Sequence, residues 1–206
     1  MFEIKTLPVG MAQSNCYILS NGTKALIVDP GDQADLIKNT ITQLNVEPVA
    51  ILLTHTHYDH IGAVEAMREE YAIPLYVSSK EKEWLADPNK NLSGLVGNPI
   101  RVNEAENYFH PKERLQISDF SFTVVATPGH SPGSVSFIFE EEEAVISGDA
   151  LFAGSIGRTD LPGSDPSALI PGVRAELFTL PEHFSVYPGH GEQTTIGREK
   201  ATNPFF

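Results

Sequence analysis

The chain has one cysteine, few basic residues and no long apolar run. Because Cys16 is the only cysteine, no intramolecular disulfide can form, which fits a reducing cytoplasm. Cys16 lies in an apolar run, residues 16–19, so we expect a small buried side chain there rather than a nucleophile. No stretch approaches the roughly 20 apolar residues of a transmembrane helix, and residues 1–5 lack the features of a signal peptide. The sequence therefore predicts a cytoplasmic protein.

Basic residues are scarce, with 14 Lys and Arg against 27 Asp and Glu, and the net charge is −13. This charge opposes binding to nucleic acid or to an acidic membrane surface, so we expect a small-molecule partner. A hydrophobic content of 41% and a charged content of 20% are typical of a folded chain. No linker of biased composition interrupts residues 1–206, which predicts a single domain and leaves the oligomeric state open.

Short apolar runs predict strands, and two amphipathic stretches predict helices. The helical pattern covers residues 35–44 and 61–71. The strand-like runs are residues 17–19, 25–28, 49–53, 75–77, 120–125, 135–139, 144–146 and 185–187. Strands that alternate with helices indicate an α/β fold, and the number of strands suggests two packed sheets with helices outside.

Three other segments give local predictions. Asp165-Pro166 is typical of a helix start, and Pro171-Gly172 should break or kink that helix soon afterwards. Residues 86–111 are rich in Asn, Gly and Pro and predict a long loop, which is either a lid over a site or a plain surface excursion. The acidic run 140–143 predicts a solvated turn between two strands.

The most informative segment is residues 54–60, THTHYDH, which directly follow the apolar run 50–53. It contains His55, His57, Asp59 and His60. Imidazole nitrogens and carboxylate oxygens are ligands for zinc and related metals. Because alternate residues of an extended loop face the same side, His55 and His57 can converge on one metal. Asp59 and His60, where the chain turns into the next helix, can face a second.

Three more candidate ligands follow later apolar runs in Gly-rich turns: His130 in TPGHSPG, Asp149 in SGD and His190 in YPGHG. His130 would complete the first site and His190 the second, while Asp149 could bridge the metals with one oxygen on each. Two bound metals would lower the pKa of a shared water from 15.7 to roughly 7 and would stabilise an oxyanion. The residues thus predict a hydrolase in which a metal-bridging hydroxide attacks the substrate, with Asp59 orienting the hydroxide or shuttling its proton.

The remaining histidines and one further aspartate receive structural interpretations. His110 and His183 do not follow apolar strands, and we expect both on the surface. Asp29 also lies at the end of a predicted strand. We expect it to brace the ligand loop through hydrogen bonds rather than to bind metal.

At these residues the chain resembles the metallo-β-lactamase superfamily. Residues 54–60 resemble its histidine motif, and His130, Asp149 and His190 match its later ligand motifs in order. Residues 29–31, DPG, resemble its first motif. The resemblance implies one α/β domain, a four-layer αβ/βα sandwich with two divalent metals at one edge of its sheets. Zinc is the expected metal, with iron or manganese as alternatives.

Residues 148–152 and 154–163 are similar to the short bacterial glyoxalase II-like proteins, the hydroxyacylglutathione hydrolases. This similarity implies a thioesterase that cleaves S-lactoylglutathione to D-lactate and glutathione, or that cleaves a related acyl thioester. Asp149 disfavours the commonest class of zinc β-lactamases, which has Cys at that position. His57 disfavours the oxygen-reducing diiron flavoproteins, which usually have Glu.

The chain departs from the longer glyoxalase II enzymes after its last candidate ligand. Those enzymes continue into a helical segment that supplies basic residues for the glutathione carboxylates, whereas this sequence stops at Phe206. Arg158 matches the family's basic residue after the bridging aspartate, and so is the candidate for binding a substrate carboxylate. It could equally pair with Asp160 or Asp165. Asp160 and Glu192 replace two tyrosines of the family.

Other functions are compatible with the same ligands. Residues 157–160 and Asn203-Pro204 also resemble a mononuclear iron persulfide dioxygenase, in which iron would use only His55, His130 and Asp149. A lactonase or another esterase could use the same activated water. A catalytically silent scaffold is disfavoured because every ligand position is filled. A nucleic-acid-processing member is disfavoured by the charge of −13.

Overall fold

Two mixed β-sheets, each of six strands, form the framework of the described residues, 2–206, in a computed structural model. The chain divides into two compact units, residues 2–108 and 109–206. Helices pack on strands in both units. The predictions of an α/β fold and of two sheets are therefore confirmed.

The first sheet has the strand order β1-β2-β3-β4-β5-β6. Its strands are β1 (Glu3–Val9), β2 (Ser14–Ser20), β3 (Lys24–Val28), β4 (Glu47–Leu52), β5 (Leu75–Ser78) and β6 (Asn107–Phe109). Strands β1 to β3 pair antiparallel, whereas β3, β4 and β5 pair in parallel. Parallel neighbours need a crossover connection. Here the crossovers contain α1 (Ala34–Leu44) and then α2 (Tyr58–Ile61) and α3 (Val64–Tyr71).

Helices α1 and α3 form because their apolar residues recur every three or four positions. Ile37 and Ile41 of α1 and Val64 and Met67 of α3 are buried. Asn45 ends α1 in the left-handed conformation, with its backbone N–H donating to carbonyls of the last turn. These apolar faces join the core of the first unit.

Cys16 belongs to this core and is fully buried. Burial raises the pKa of the Cys16 thiol far above its usual range, and the charge of Asp29 raises it further. A thiolate is therefore strongly disfavoured. The prediction of a buried structural cysteine rather than a nucleophile is confirmed.

The second sheet has the order β12-β11-β10-β9-β8-β7. Its strands are β7 (Arg114–Ile117), β8 (Phe120–Ala126), β9 (Val135–Phe139), β10 (Ala144–Gly148), β11 (Ser185–Pro188) and β12 (Thr194–Thr195). Only β10 and β11 are parallel neighbours, and the helix α4 (Leu169–Glu176) lies between them in sequence. The chain then continues into α5 (Ile196–Thr202). Leu169 and Val173 of α4 are buried in the core of this unit with Val145, Val186 and Ile196.

Every strand predicted from an apolar run is present, but four others were not predicted. These are β1, β6, β7 and β12. Strand β1 lies at a sheet edge and contains Pro8, while β7 alternates exposed and half-buried residues. Strand β12 has two residues and β6 three. Edge strands and very short strands bury too little apolar surface to leave a clear pattern.

The prediction for Asp165-Pro166 and Pro171-Gly172 is wrong. The helix begins at Leu169, and Pro171 and Gly172 lie inside it. Pro171 is tolerated because it occupies the first turn, where backbone N–H groups have no partner within the helix. Asp165 instead forms a turn before the helix, accepting hydrogen bonds from the backbone N–H and the hydroxyl of Ser167.

The remaining local predictions are largely confirmed. Of the predicted loop 86–111, residues 86–106 form turns and irregular structure, whereas Asn107–Phe109 form β6. Asn91 and Val102 are buried and anchor the irregular part. The acidic run 140–143 is the turn between β9 and β10. Among residues 2–206, no helix is long and apolar enough to cross a membrane.

Candidate metal centre

In the first unit, the loop that follows β4 brings three histidine side chains together. His55, His57 and His60 are almost completely buried. The ring centroids of His55 and His57 are 4.8 Å apart, and those of His55 and His60 are 4.2 Å apart. Buried histidines at this spacing can share metal ions, as the sequence predicts.

Asp29 fixes this loop from the end of β3. One carboxylate oxygen accepts the Thr54 N–H at 2.8 Å, and the other accepts the Thr54 hydroxyl at 2.6 Å. The second oxygen also lies 3.0 Å from Nδ1 of His60, which leaves the Nε2 atom of that ring for a metal. Asp29 lies close enough to His55 and His60 to be considered as a metal ligand with them. Both of its carboxylate oxygens, however, already accept the hydrogen bonds described above. The predicted bracing role is confirmed.

Glu81 is a second brace, and the sequence gives no signal for it. Its carboxylate is fully buried, and one oxygen accepts both the backbone N–H and the hydroxyl of Thr56 at 2.8 Å. Thr56 separates His55 from His57, so this contact holds the backbone from which both imidazoles project. In the sequence, Glu81 lies in a polar run and reads as an ordinary solvated residue.

Asp59 lies beside His60 at the start of α2. Its side chain is 15% exposed, and its Oδ2 is 3.7 Å from Nε2 of His60. The Ser14 hydroxyl donates to the Asp59 carbonyl at 2.5 Å. Gly31 packs against the same carbonyl so closely that a Cβ there would lie 1.7 Å from the oxygen. Only glycine fits at position 31 without moving Asp59.

In the second unit, the carboxylate of Asp149 lies between two imidazoles. Its Oδ2 is 3.3 Å from Nε2 of His130 and 3.5 Å from Nε2 of His190. Two ligands on one tetrahedral metal are about 3.4 Å apart when each bond is about 2.1 Å. The donor types and these spacings therefore fit divalent metals. The same oxygen faces both rings, and the bridging of two metals by Asp149 stays a prediction.

Backbone contacts orient His130 and Asp149. Nδ1 of His130 lies 2.8 Å from the carbonyl of Arg158, an arrangement in which Nδ1–H donates and Nε2 is the nitrogen that faces Asp149. Gly157 passes close to the carbonyl of Asp149, where an added Cβ would lie 1.9 Å from the oxygen. The segment that carries Arg158 thus positions two candidate ligands through its main chain.

The side chain of Arg158 pairs with Asp160, one of the two partners considered from the sequence. Two parallel hydrogen bonds join the guanidinium to the carboxylate at 2.7 and 2.8 Å, and both side chains are largely exposed. This pair raises the pKa of Arg158 and lowers the pKa of Asp160. A substrate carboxylate at Arg158 would have to compete with Asp160.

Glu199 of α5 supports the loop after Asp149, and this contact too is absent from the sequence prediction. The buried carboxylate accepts hydrogen bonds from the Gly154 N–H, the Thr194 hydroxyl and the side-chain amide of Asn203. Asn203 also donates to the Ser155 carbonyl at 3.0 Å. The C-terminal helix therefore fixes residues 154–155.

The structure groups the predicted ligands within each unit. The first unit holds His55, His57, Asp59 and His60 in one loop. The second unit gathers His130, Asp149 and His190, as described above. His110 and His183 are exposed, as expected.

Buried imidazoles and carboxylates that are oriented by further hydrogen bonds define a metal-binding protein. The chain belongs to the metallo-β-lactamase superfamily, whose sequence pattern matches residues 9–190. The αβ/βα sandwich expected from the sequence is the fold of this superfamily. Within it, the chain is a metallo-hydrolase.

Two curated relatives bear on the activity. A probable metallo-hydrolase of Streptococcus pyogenes is 50% identical over 201 residues, covering 95% of this chain and 87% of the relative. The hydroxyacylglutathione hydrolase GloC of Haemophilus influenzae is 35% identical over 206 residues, covering 98% of this chain and 97% of the relative.

Two solved structures match almost the whole chain. The B3 metallo-β-lactamase BLEG-1 has a TM-score of 0.96 and 44% identity, covering 98% of this chain and 99% of that one. TTHA1623, solved in a di-iron-bound form, has a TM-score of 0.89 and 37% identity, covering 98% of this chain and 100% of that one.

Proposed function

We propose that this chain is a dinuclear metal-dependent thioesterase of the glyoxalase II type, acting on S-lactoylglutathione or a related acyl thioester. The observation that carries the proposal is the single oxygen of Asp149 at ligand spacing from both His130 and His190. Asp149 and the two imidazoles would together contribute to holding two divalent ions. The match to the superfamily across both units supports their action as one domain.

In this proposal the ligands fall into two sets that share Asp149. His55, His57 and His130 hold one ion, and Asp59, His60 and His190 hold the other. Zinc suits these nitrogen and oxygen donors, and iron or manganese suits them as well. The di-iron form of TTHA1623 supports two ions and an iron alternative.

The bound ions would supply a water of lowered pKa and positive charge beside the developing oxyanion. Two side chains of the protein have further roles in this reaction. Asp59 accepts a proton from the attacking water, while Asp29 keeps the His60 ring in one orientation. Water adds to the thioester carbonyl and the carbon–sulfur bond breaks. The products are a carboxylate and a thiol, and no oxidant is needed.

The GloC relative supports a thioester substrate with glutathione as its thiol. The BLEG-1 structure favours a second candidate, β-lactam hydrolysis, because that protein is named a B3 metallo-β-lactamase. Both reactions begin with attack of water on an acyl carbon. The two functions therefore differ in the groups that bind the substrate rather than in the metal centre.

Purified protein loaded with zinc is expected to hydrolyse S-lactoylglutathione and to contain two metal ions per chain. Removing the metal with a chelator should lower the rate by about 10³-fold or more, because the ions supply several kcal/mol of transition-state stabilisation. Loss of the thioester absorbance and elemental analysis of the same sample measure both quantities. Restoring zinc to the chelated protein should restore the rate.

Parallel assays separate the alternatives. A chromogenic cephalosporin turned over faster than every thioester would favour the β-lactamase candidate. Oxygen uptake with glutathione persulfide by protein holding one iron per chain would favour the persulfide dioxygenase. Unchanged thioester hydrolysis after complete removal of metal would contradict the proposed mechanism.

Arg158 is proposed to bind a carboxylate of the thiol portion, in competition with Asp160. Asp160→Asn removes the competing charge, so it should lower KM for S-lactoylglutathione by about two- to fivefold, the effect of one exposed ion pair. Arg158→Ala should raise KM and should abolish the gain given by Asp160→Asn. Steady-state kinetics of both single variants and the double variant measure this coupling.

The thioester of the uncharged thiol N-acetylcysteamine serves as the matched control substrate. Neither substitution should change its KM, because it carries no carboxylate. Equal effects on the two substrates would mean that Arg158 and Asp160 act through local structure. The role of Arg158 in binding would then be abandoned.

A further inference from the structure

A cavity of about 380 Å³ opens beside Asp59 in the first unit. The turn between β1 and β2 forms one wall, with Val9 and Met11, and residues 96–100 form another, with Val96 and Ile100. These side chains are apolar. A concave site of this size with apolar walls is typical of a small-molecule subsite.

Two of the apolar side chains that line this cavity are also exposed to solvent. Met11 is fully exposed at 103%, and Val96 is 51% exposed, although both line the cavity. Leu95, next in sequence to Val96, is 71% exposed. Soluble proteins rarely leave large apolar side chains together in water unless that surface binds something.

Hydrogen bonds hold both walls in place. In the β1–β2 turn, the Gly10 N–H donates to the side chain of Gln33 at 2.9 Å, and the Gln13 side chain donates to the Gly10 carbonyl at 2.6 Å. On the other side, Asn91 donates to the Ile100 carbonyl at 3.0 Å, and the Ile100 N–H donates to Ser93 at 2.9 Å. A preformed site costs a ligand little ordering free energy.

The charged residues that line the cavity are both acidic, Asp32 and Asp59. The remaining polar character comes mainly from small side chains, backbone groups and the phenol of Tyr58. The Asp32 carboxylate repels an anionic group, while the apolar walls favour an alkyl chain.

We propose that this cavity is the acyl subsite of the enzyme and that it takes a neutral alkyl acyl group in preference to an anionic one. The inference rests on the proposed thioesterase function and narrows its substrate class. Because Asp59 lies at the cavity, an acyl chain bound there leads away from a residue that the proposal places at the metal centre.

A series of N-acetylcysteamine thioesters tests the acyl preference. From acetyl to butyryl to hexanoyl, kcat/KM should rise by about two- to fourfold for each methylene that the cavity buries. Adipoyl, with a terminal carboxylate, should be about tenfold poorer than hexanoyl because of the Asp32 carboxylate and the apolar walls. A 6-aminohexanoyl thioester that exceeds hexanoyl would overturn the proposal in favour of a cation site.

Substitutions of the exposed lining residues test whether the preference for longer acyl chains arises from this cavity. The double variant Met11→Ser and Val96→Ser should remove at least half of the chain-length gain, measured as the ratio of kcat/KM for hexanoyl to that for acetyl. Leu36→Ser is the matched control, because Leu36 is 39% exposed on α1 and does not line the cavity. Asp32→Asn should raise the rate with adipoyl and not with hexanoyl.

A binding measurement separates failure of this inference from failure of the proposed function. The probes are amide analogues in which NH replaces the thioester sulfur, and calorimetry gives their affinities. Thioester hydrolysis that does not depend on chain length would overturn the acyl subsite and leave the thioesterase intact. If metal-loaded protein hydrolyses no thioester, the proposed thioesterase function is contradicted. The affinities of the amide analogues then test the cavity by themselves. Affinity that rises with chain length and is lost in the double variant would support an apolar site, and equal affinities would overturn it.

Discussion

Replacing Asp149 by Asn is expected to lower kcat/KM by about 10³-fold and to reduce the metal content from two ions per chain to one or fewer. The substitution keeps the size of the side chain but removes its negative charge. In the proposed centre that charge would help to hold both ions, because the carboxylate lies 3.3 and 3.5 Å from the two imidazoles. Elemental analysis and thioester kinetics on one preparation measure the effect.

Asp119→Asn is a suitable control, because Asp119 is an exposed aspartate between β7 and β8. It should retain both the metal and the rate. The Asp149→Asn variant should unfold at the same temperature as the metal-free wild-type protein and should gain little stability when zinc is added. Two tightly bound ions together with full activity in Asp149→Asn would refute the bridging role.

Replacing Glu81 by Ala is expected to reduce the free energy of unfolding by about 2–4 kcal/mol. The substitution leaves the buried N–H and hydroxyl of Thr56 without their acceptor, and each buried polar group that loses its partner costs about 1–3 kcal/mol. Because Thr56 lies between His55 and His57, metal affinity should also fall by about 10- to 100-fold. Urea unfolding of the metal-free protein and competition with a zinc chelator measure the two effects separately.

Two further variants test whether the contact between Glu81 and Thr56 causes these losses of stability and metal affinity. Glu83→Ala removes a nearby acidic side chain that is 71% exposed and paired with Lys90, and it should change little. Glu81→Gln retains an oxygen that can accept both hydrogen bonds, so it should recover much of the loss. Equal stability and metal affinity in Glu81→Ala and Glu83→Ala would show that the contact with Thr56 does not support the ligand loop.

The candidate ligands can be named from the sequence because each is local to a recognisable pattern. His55, His57, Asp59 and His60 are nearly adjacent and follow an apolar strand. His130 and Asp149 also follow strands that apolar runs reveal. Such residues can be found without knowing which strands are neighbours.

The braces could not be predicted because they depend on contacts between distant parts of the chain. Glu81 meets Thr56 across 25 residues, and Glu199 meets Gly154 across 45. Neither glutamate differs from a solvated one in its local sequence, since burial alone changes its role. Pro171 failed as a helix breaker for a related reason, because its effect depends on which turn of the helix contains it.

Arg158 has two separate structural contacts, one made by its backbone and one made by its side chain. Its backbone carbonyl orients His130, while its side chain points to Asp160 at the surface. Every amino acid supplies the same carbonyl, so the side chain can be exchanged without removing the support for the imidazole. If Arg158 binds substrate as proposed, its replacement would therefore change substrate binding and would keep the contact that orients His130.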